Sequence, residues 1–284
     1  MIINPPARRI EHRTEKCEAA FGESDAQIKD IKRLGVPARS SGARVIAACY
    51  GLLCHSLFIA AVAAMIVMMY HGMSRSFGDL AEPYGSIANG MLLLQFPIAH
   101  SLLLTRGGNR FMRHLAPAGL GADLSTTTYA AIASLQVLAL FLLWSPSGII
   151  WWRAEGPLLV ALCCAYAAAW LSLLKAIVDA GFALQVGLLG WYSIARGIAV
   201  RYPPMPRTGL FRFCRQPIYV AFAATLWTVP TWTPDQLTVA GVLTLYCLIG
   251  PLFKEARFKA RFGDQFEAYR RHVPYWLPFR RNRK

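Results

Sequence analysis

The chain has 284 residues, 55% of them hydrophobic, and a formal charge of +15 at pH 7. So apolar a balance excludes an ordinary soluble domain, and several apolar runs approach the ~20 residues needed to cross a hydrocarbon core. The positive charge then reads as basic loops held on one side of a membrane rather than a nucleic-acid surface, and the lack of strand-like alternation argues against a barrel.

Residues 1–44 mix basic and acidic side chains and lack the apolar core of a signal peptide, so a flexible cytoplasmic tail is expected. The first span is read at about Val45–Tyr70 and contains His55. A loop with Asp79 and Glu82 follows. The second span, about Ser86–Thr105, holds Gln95, Pro97 and His100. Pro97 should kink it. His100 stands near the basic loop of Arg106, Arg110 and Arg113, and an intramembrane ionisable group is a functional candidate. The third span is about Thr127–Trp144, and Trp151-Trp152 beyond it fit an interfacial belt.

The fourth span is about Pro157–Val178. Lys175 and Asp179 at its end are four residues apart, on one helix face, and read as an interfacial pair. Ala180–Tyr202 is apolar but interrupted by Gly181, Gly187, Gly190 and Gly197. It reads as a shallow or re-entrant segment packed on protein or lining a cavity.

Arg207–Tyr219 is basic and aromatic, and it runs straight into an apolar segment through Pro217. Arg207, Arg212 and Arg215 are costly at a membrane boundary unless they face water, headgroups or an anionic ligand. Pro217 suits the first turn of a helix, where its missing N–H is harmless. Pro217–Val229 and Asp235–Phe253, joined by an uncharged turn, read as a helical hairpin. In the tail Phe258, Phe262, Phe266, Tyr269 and Val273 recur at spacings of three and four among basic residues, the pattern of an amphipathic helix on the membrane surface, ended by Pro274.

The N-terminal tail holds nine Lys/Arg, the second loop three, residues 196–215 five and the C-terminal tail ten, against one in each of the first and third loops. This asymmetry places both termini in the cytoplasm. The expected fold is all-α: a multi-pass integral membrane protein with about six membrane-embedded helices, a C-terminal hairpin and a cytoplasmic interfacial helix. The chain divides into the tail (1–44), the N-terminal transmembrane helices (45–178) and a C-terminal region (179–284). The seven cysteines form no C-x-x-C pair and the six histidines no H-x-x-H, so no metal site is expected.

Arg207–Tyr219, the Lys254-Glu255 pair and the tail Phe262-Gly263…Tyr269…Val273-Pro274…Leu277-Pro278 resemble the isoprenylcysteine carboxyl methyltransferase superfamily. Its signature is a Gly-aromatic stretch, Arg-His-Pro-x-Tyr, a hairpin, then Glu-Glu before Phe-Gly…Tyr…Val-Pro. Ala99-His100-Ser101, Ser125–Tyr129 and the Trp144–Trp152 loop resemble its bacterial methanethiol S-methyltransferase branch. The resemblance implies S-adenosylmethionine as cofactor, held by Pro203, Pro204, Met205, Pro206, Phe211, Gln216, Pro217, Ile218, Tyr219 and Glu255. Aromatic rings can pack on the cofactor, the helix start at Pro217 with Arg215 favours its carboxylate, and Glu255 can pair with its ammonium group.

Arg215 and His100 are expected to serve the reaction. A thiol acceptor must lose its proton, and His100 would assist that step or bind the acceptor. The implied partners are a small apolar or lipid-like acceptor and membrane lipids, with no nucleic acid. The alternatives are a phospholipid, amine or carboxyl acceptor, or a non-catalytic binding protein on the same scaffold. Two departures stand out: Gln216 replaces the superfamily's histidine, and Lys254 replaces its first glutamate. Gly250-Pro251 stands where the prenylcysteine branch has an arginine, which argues against a prenylcysteine carboxylate.

Overall fold

The computed structural model describes residues 40–276, so nearly all of the expected N-terminal tail and the Leu277-Pro278 pair lie outside the described residues. Helix α1 (Ser41–Tyr70) starts behind Ser40, whose Oγ accepts from Ala43 N at 3.2 Å, an N-cap bond. Helix α2 (Tyr84–Leu103) contains Pro97. Helix α3 (Arg106–Leu115) is short and is capped by Thr105, whose Oγ1 accepts from Gly108 N at 3.1 Å. Helices α4 (Gly121–Leu142) and α5 (Gly156–Asp179) follow, then the short α6 (Phe182–Gln185) and α7 (Leu188–Arg196). Helix α8 (Pro217–Trp227) begins on Pro217 as expected. Helix α9 (Pro234–Phe262) is long, and α10 (Asp264–His272) closes the described chain.

Five helices, α1, α2, α4, α5 and α9, are long and apolar enough to cross a membrane, and α8 is a shorter apolar helix. The chain is therefore an all-α polytopic membrane protein, with α8 and α9 as the C-terminal hairpin. In lipid the backbone must satisfy its own polar groups, which leaves helices as the spanning form. Association then depends on close packing at small residues and on interhelical hydrogen bonds. Both are present. A Cβ on Gly51 of α1 would overlap the Trp191 ring of α7. Gln136 Nε2 donates to Gln95 Oε1 at 2.8 Å, joining α4 to α2. Mid-bundle, Met65, Met69, Leu93, Phe141, Leu226 and Leu243 form one buried cluster.

The stretch after α5 is broken where its glycines predict. Gly181, Gly187 and Gly197 all have positive φ, at 97°, 76° and 67°, where a Cβ is disfavoured. Gly190 has a different role: it lies inside α7, pressed against the Asp123 carbonyl. The tail differs from expectation. Phe258 and Phe262 belong to α9, which runs on to Phe262. Gly263 (φ 49°, ψ −126°) then breaks the chain, and α10 alone turns back. Glu267 fixes this corner, pairing with Lys259 of α9 at 3.2 Å and with Arg270 at 3.1 Å.

At the opposite end of the bundle two short strands, β1 (Trp152–Arg153) and β2 (Thr231–Trp232), pair antiparallel, with Trp152 opposite Trp232. Sequence periodicity gave no hint of them, because two residues carry no alternation. They tie the third loop to the hairpin tip. Asp235 locks the same end by accepting from Trp144 Nε1 at 3.0 Å and Ser147 Oγ at 2.6 Å.

Candidate functional site

The Arg207–Tyr219 stretch is anchored from both sides. Asp179, at the end of α5, pairs with Lys175 and accepts from Leu210 N at 2.8 Å. Gly209 (φ 60°) lets the chain pass so near that a Cβ there would collide with the Asp179 carboxylate. The following 3-10 turn, Gly209–Arg212, buries Phe211, which is 1% exposed. From the tail, Tyr269 Oη donates to Phe211 O at 2.7 Å. Burial holds the Tyr269 phenol above its usual range, so it stays a neutral donor. Burial likewise pushes the Cys214 thiol up, and a buried neutral thiol is an inert one.

Arg215 is fully engaged. Its Nε donates to Glu255 Oε1 at 2.8 Å and its Nη2 to Oε2 at 3.4 Å. Its Nη1 donates to the carbonyls of Val273 at 2.7 Å and Arg270 at 3.1 Å. The guanidinium also lies 5.5 Å from the Tyr275 ring. Arg215 therefore clamps α9, α8 and the tail together.

Gln216, 1% exposed, sits between two charges. Its Nε2 donates to Glu255 Oε1 at 2.8 Å, and its Oε1 accepts from Lys254 Nζ at 3.1 Å. The Lys254 ammonium is surrounded by three rings, at 5.5 Å from Phe211, 5.7 Å from Tyr219 and 5.3 Å from Phe258. Such an aromatic cage is a general device for binding cations.

His100 belongs to a neighbouring aromatic cluster. Its Nε2 is 2.5 Å from the Tyr129 hydroxyl, and its ring is 5.1 Å from Phe96 and 6.3 Å from Tyr246. Tyr246 in turn is 6.5 Å from Tyr219. One ring, Tyr246, thus lies between His100 and the cage ring of Tyr219, while the buried Nδ1 of His100 has no partner among the described residues.

Of the residues expected from sequence, Phe211, Arg215, Gln216, Tyr219 and Glu255 converge in one place. Pro217 is buried at the start of α8, with Ile218 half-buried behind it. The Pro203–Pro206 turn lies against the corner after α5, with Pro203 facing Gly181 and Met205 buried. No hydrogen bond joins that turn to Gln216 or Glu255 among the described residues. Tyr129, Tyr246, Lys254 and Tyr269 lie beside the converging residues: Tyr129, Lys254 and Tyr269 stood within the motifs read from sequence without an assigned role, and Tyr246 was not singled out. The signal for two of them was present: Tyr246, Gly250, Lys254 and Phe258 recur every four residues along α9, which puts them on one face.

These residues fit the expected cofactor in kind. A ring cage that holds a cation, a carboxylate and a helix start meet at one end of the bundle, and S-adenosylmethionine carries a sulfonium, an ammonium and a carboxylate.

Fold and site together define a polytopic helical membrane protein with a charged, aromatic site at one end of the bundle. Comparison with known proteins gives its relatives. The chain is 26% identical over 209 residues to methanethiol S-methyltransferase 1 of Bradyrhizobium diazoefficiens, covering 72% of this chain and 70% of that protein. It is 28% identical over 203 residues to methanethiol S-methyltransferase of Mycobacterium tuberculosis, covering 70% and 82%. It is also 27% identical over 168 residues to Nurim of Xenopus laevis, covering 55% and 56%. No family model matches the chain, nor does any solved structure. The similarity to methanethiol S-methyltransferases thus covers about 70% of the chain, more than the separate motifs on which the superfamily and its branch were read.

Proposed function

We propose that the chain is a membrane-embedded S-adenosylmethionine-dependent methyltransferase acting on a small thiol of the methanethiol kind. The observation that carries this reading is the convergence of Phe211, Gln216, Tyr219 and Glu255 in a chain similar over about 70% of its length to several proteins named for that reaction. The cofactor region is residues 179–284, at the cytoplasmic end, with both termini on that side of a bacterial inner membrane.

When bound, S-adenosylmethionine supplies an electrophilic methyl group on a sulfonium. The chain contributes binding and alignment. Phe211 and Tyr219 offer ring faces to a cation. Glu255 offers a carboxylate, and the first turn of α8, beside Arg215, offers N–H groups and positive charge to an anion. The backbone of the Pro203–Pro206 turn is available for an adenine edge. Alignment of this sort is worth roughly 7–11 kcal/mol in a bimolecular step. His100, held by Tyr129, presents an imidazole one ring away from the cage and would take the acceptor's proton. Phe96 and Tyr246 pack against the His100 ring, and such aromatic surroundings suit a small lipophilic thiol.

A second reading, a non-catalytic binding protein on this scaffold, is favoured by two observations: Glu255 is already paired with Arg215, and the cage already holds Lys254. Incubating purified protein with S-adenosylmethionine carrying a labelled methyl group, and with methanethiol, separates the two. Labelled dimethyl sulfide supports the first reading. Its absence, from protein that binds the cofactor, supports the second.

A further inference from the structure

The cage at the candidate site is occupied by the protein itself. Lys254 Nζ lies 5.5, 5.7 and 5.3 Å from Phe211, Tyr219 and Phe258, and it donates to Gln216 Oε1 at 3.1 Å. Three of these four neighbours are residues expected to hold the cofactor. Lys254 extends from α9 one residue before Glu255, so the ammonium and the carboxylate enter the site side by side. Along the same face, Gly250 lets two rings press close: a Cβ there would crowd Tyr246 at 3.1 Å and touch Tyr219 at 3.6 Å.

We propose that Lys254 is an internal rival of the methyl donor: its ammonium occupies the ring cage that a sulfonium would use, so the site discriminates between the donor and its demethylated product. This rests on the methyl-donor reading above. The physics is that of two like charges competing for one set of ring faces. S-adenosylmethionine brings a sulfonium cation to the cage. S-adenosylhomocysteine, its product, has a neutral thioether at the same atom and is otherwise identical there. Repulsion from Lys254 therefore falls on the donor and spares the product. Entry of the donor requires Lys254 to leave the rings and release Gln216. Once the donor has lost its methyl group, the lysine can return.

The test compares the two ligands on the whole protein purified in detergent. Dissociation constants for S-adenosylmethionine and S-adenosylhomocysteine are measured for wild type, Lys254→Met and Lys254→Gln. Met keeps most of the unbranched stem without the charge, and Gln keeps a polar but neutral end. The proposal expects both variants to tighten the donor by roughly tenfold relative to the product. Equal shifts for both ligands, or a weaker donor, overturn it while leaving the methyl-donor reading intact. Binding of neither ligand by folded wild type and folded variants overturns that reading, and the proposal with it.

Discussion

Lys254 Nζ donates to Gln216 Oε1 at 3.1 Å, so the two positions at which the chain departs from the Arg-His-Pro and Glu-Glu pattern touch each other. The amide serves both neighbours at once, accepting from the lysine and donating to Glu255 at 2.8 Å. A histidine at 216 between two carboxylates and a glutamine between a lysine and a carboxylate are each internally matched. Mixed pairs are not: Lys254→Glu alone places a second carboxylate beside Glu255.

The pair should therefore behave as a unit. Gln216→His and Lys254→Glu are each expected to lower the melting temperature in detergent. The double variant is expected to be more stable than the sum of the two losses, by about 0.5–3 kcal/mol. Strict additivity in this cycle would show that the contact does not couple them.

Glu255 carries both fold and site. Its ion pair with Arg215 is nearly buried, with side chains 13% and 12% exposed. Removing one partner strands the other charge, at a cost of about 3–5 kcal/mol. Glu255→Ala should lose donor binding and also loosen the tail, read as faster proteolysis after residue 262. Unchanged proteolysis would show that the Arg215 contacts to Val273 and Arg270 suffice alone.

His100 and Tyr129 lie beside the cage, not in it. His100→Ala is expected to lower kcat for thiol methylation roughly 100-fold or more, with donor affinity unchanged. Tyr129→Phe, which removes only the hydroxyl that meets Nε2, should fall between. Loss of donor binding in either variant would assign them to the cofactor instead.

The corner between α9 and α10 should be acid-sensitive. Lys259, then Arg270 and Arg271, hold the Glu267 carboxyl below its usual range. A depressed carboxyl contributes stability that is present above its unfolded value and lost as pH falls through the folded one. Protection of residues 264–272 from proteolysis should thus hold at neutral pH and decline below about pH 4. Glu267→Gln should remove the pH dependence.

The amount legible from sequence differed with the physical signal. Spans such as α1 were readable because twenty or more uncharged residues have few other fates. The turns at Gly181, Gly187 and Gly197 were readable because glycines interrupt an apolar run. The Arg207–Tyr219 stretch was readable because its cost demands a purpose. The break at Gly263 was not, since the spacing of Phe258, Phe262 and Phe266 continues smoothly across it. Neither was the Lys254 cage, which depends on three rings from three separate segments. His100 stood out as an ionisable group in a span, but its partner Tyr129, 29 residues away, is fixed only by the packing of α2 on α4.

The residues around Glu255 are proposed to hold a methyl donor. Equilibrium binding of S-adenosylmethionine to the purified protein tests this most directly. Wild type is expected to show saturable, one-site binding that is lost in Glu255→Ala and tightened in Lys254→Met. A folded wild-type protein that shows no saturable binding at millimolar donor would contradict it.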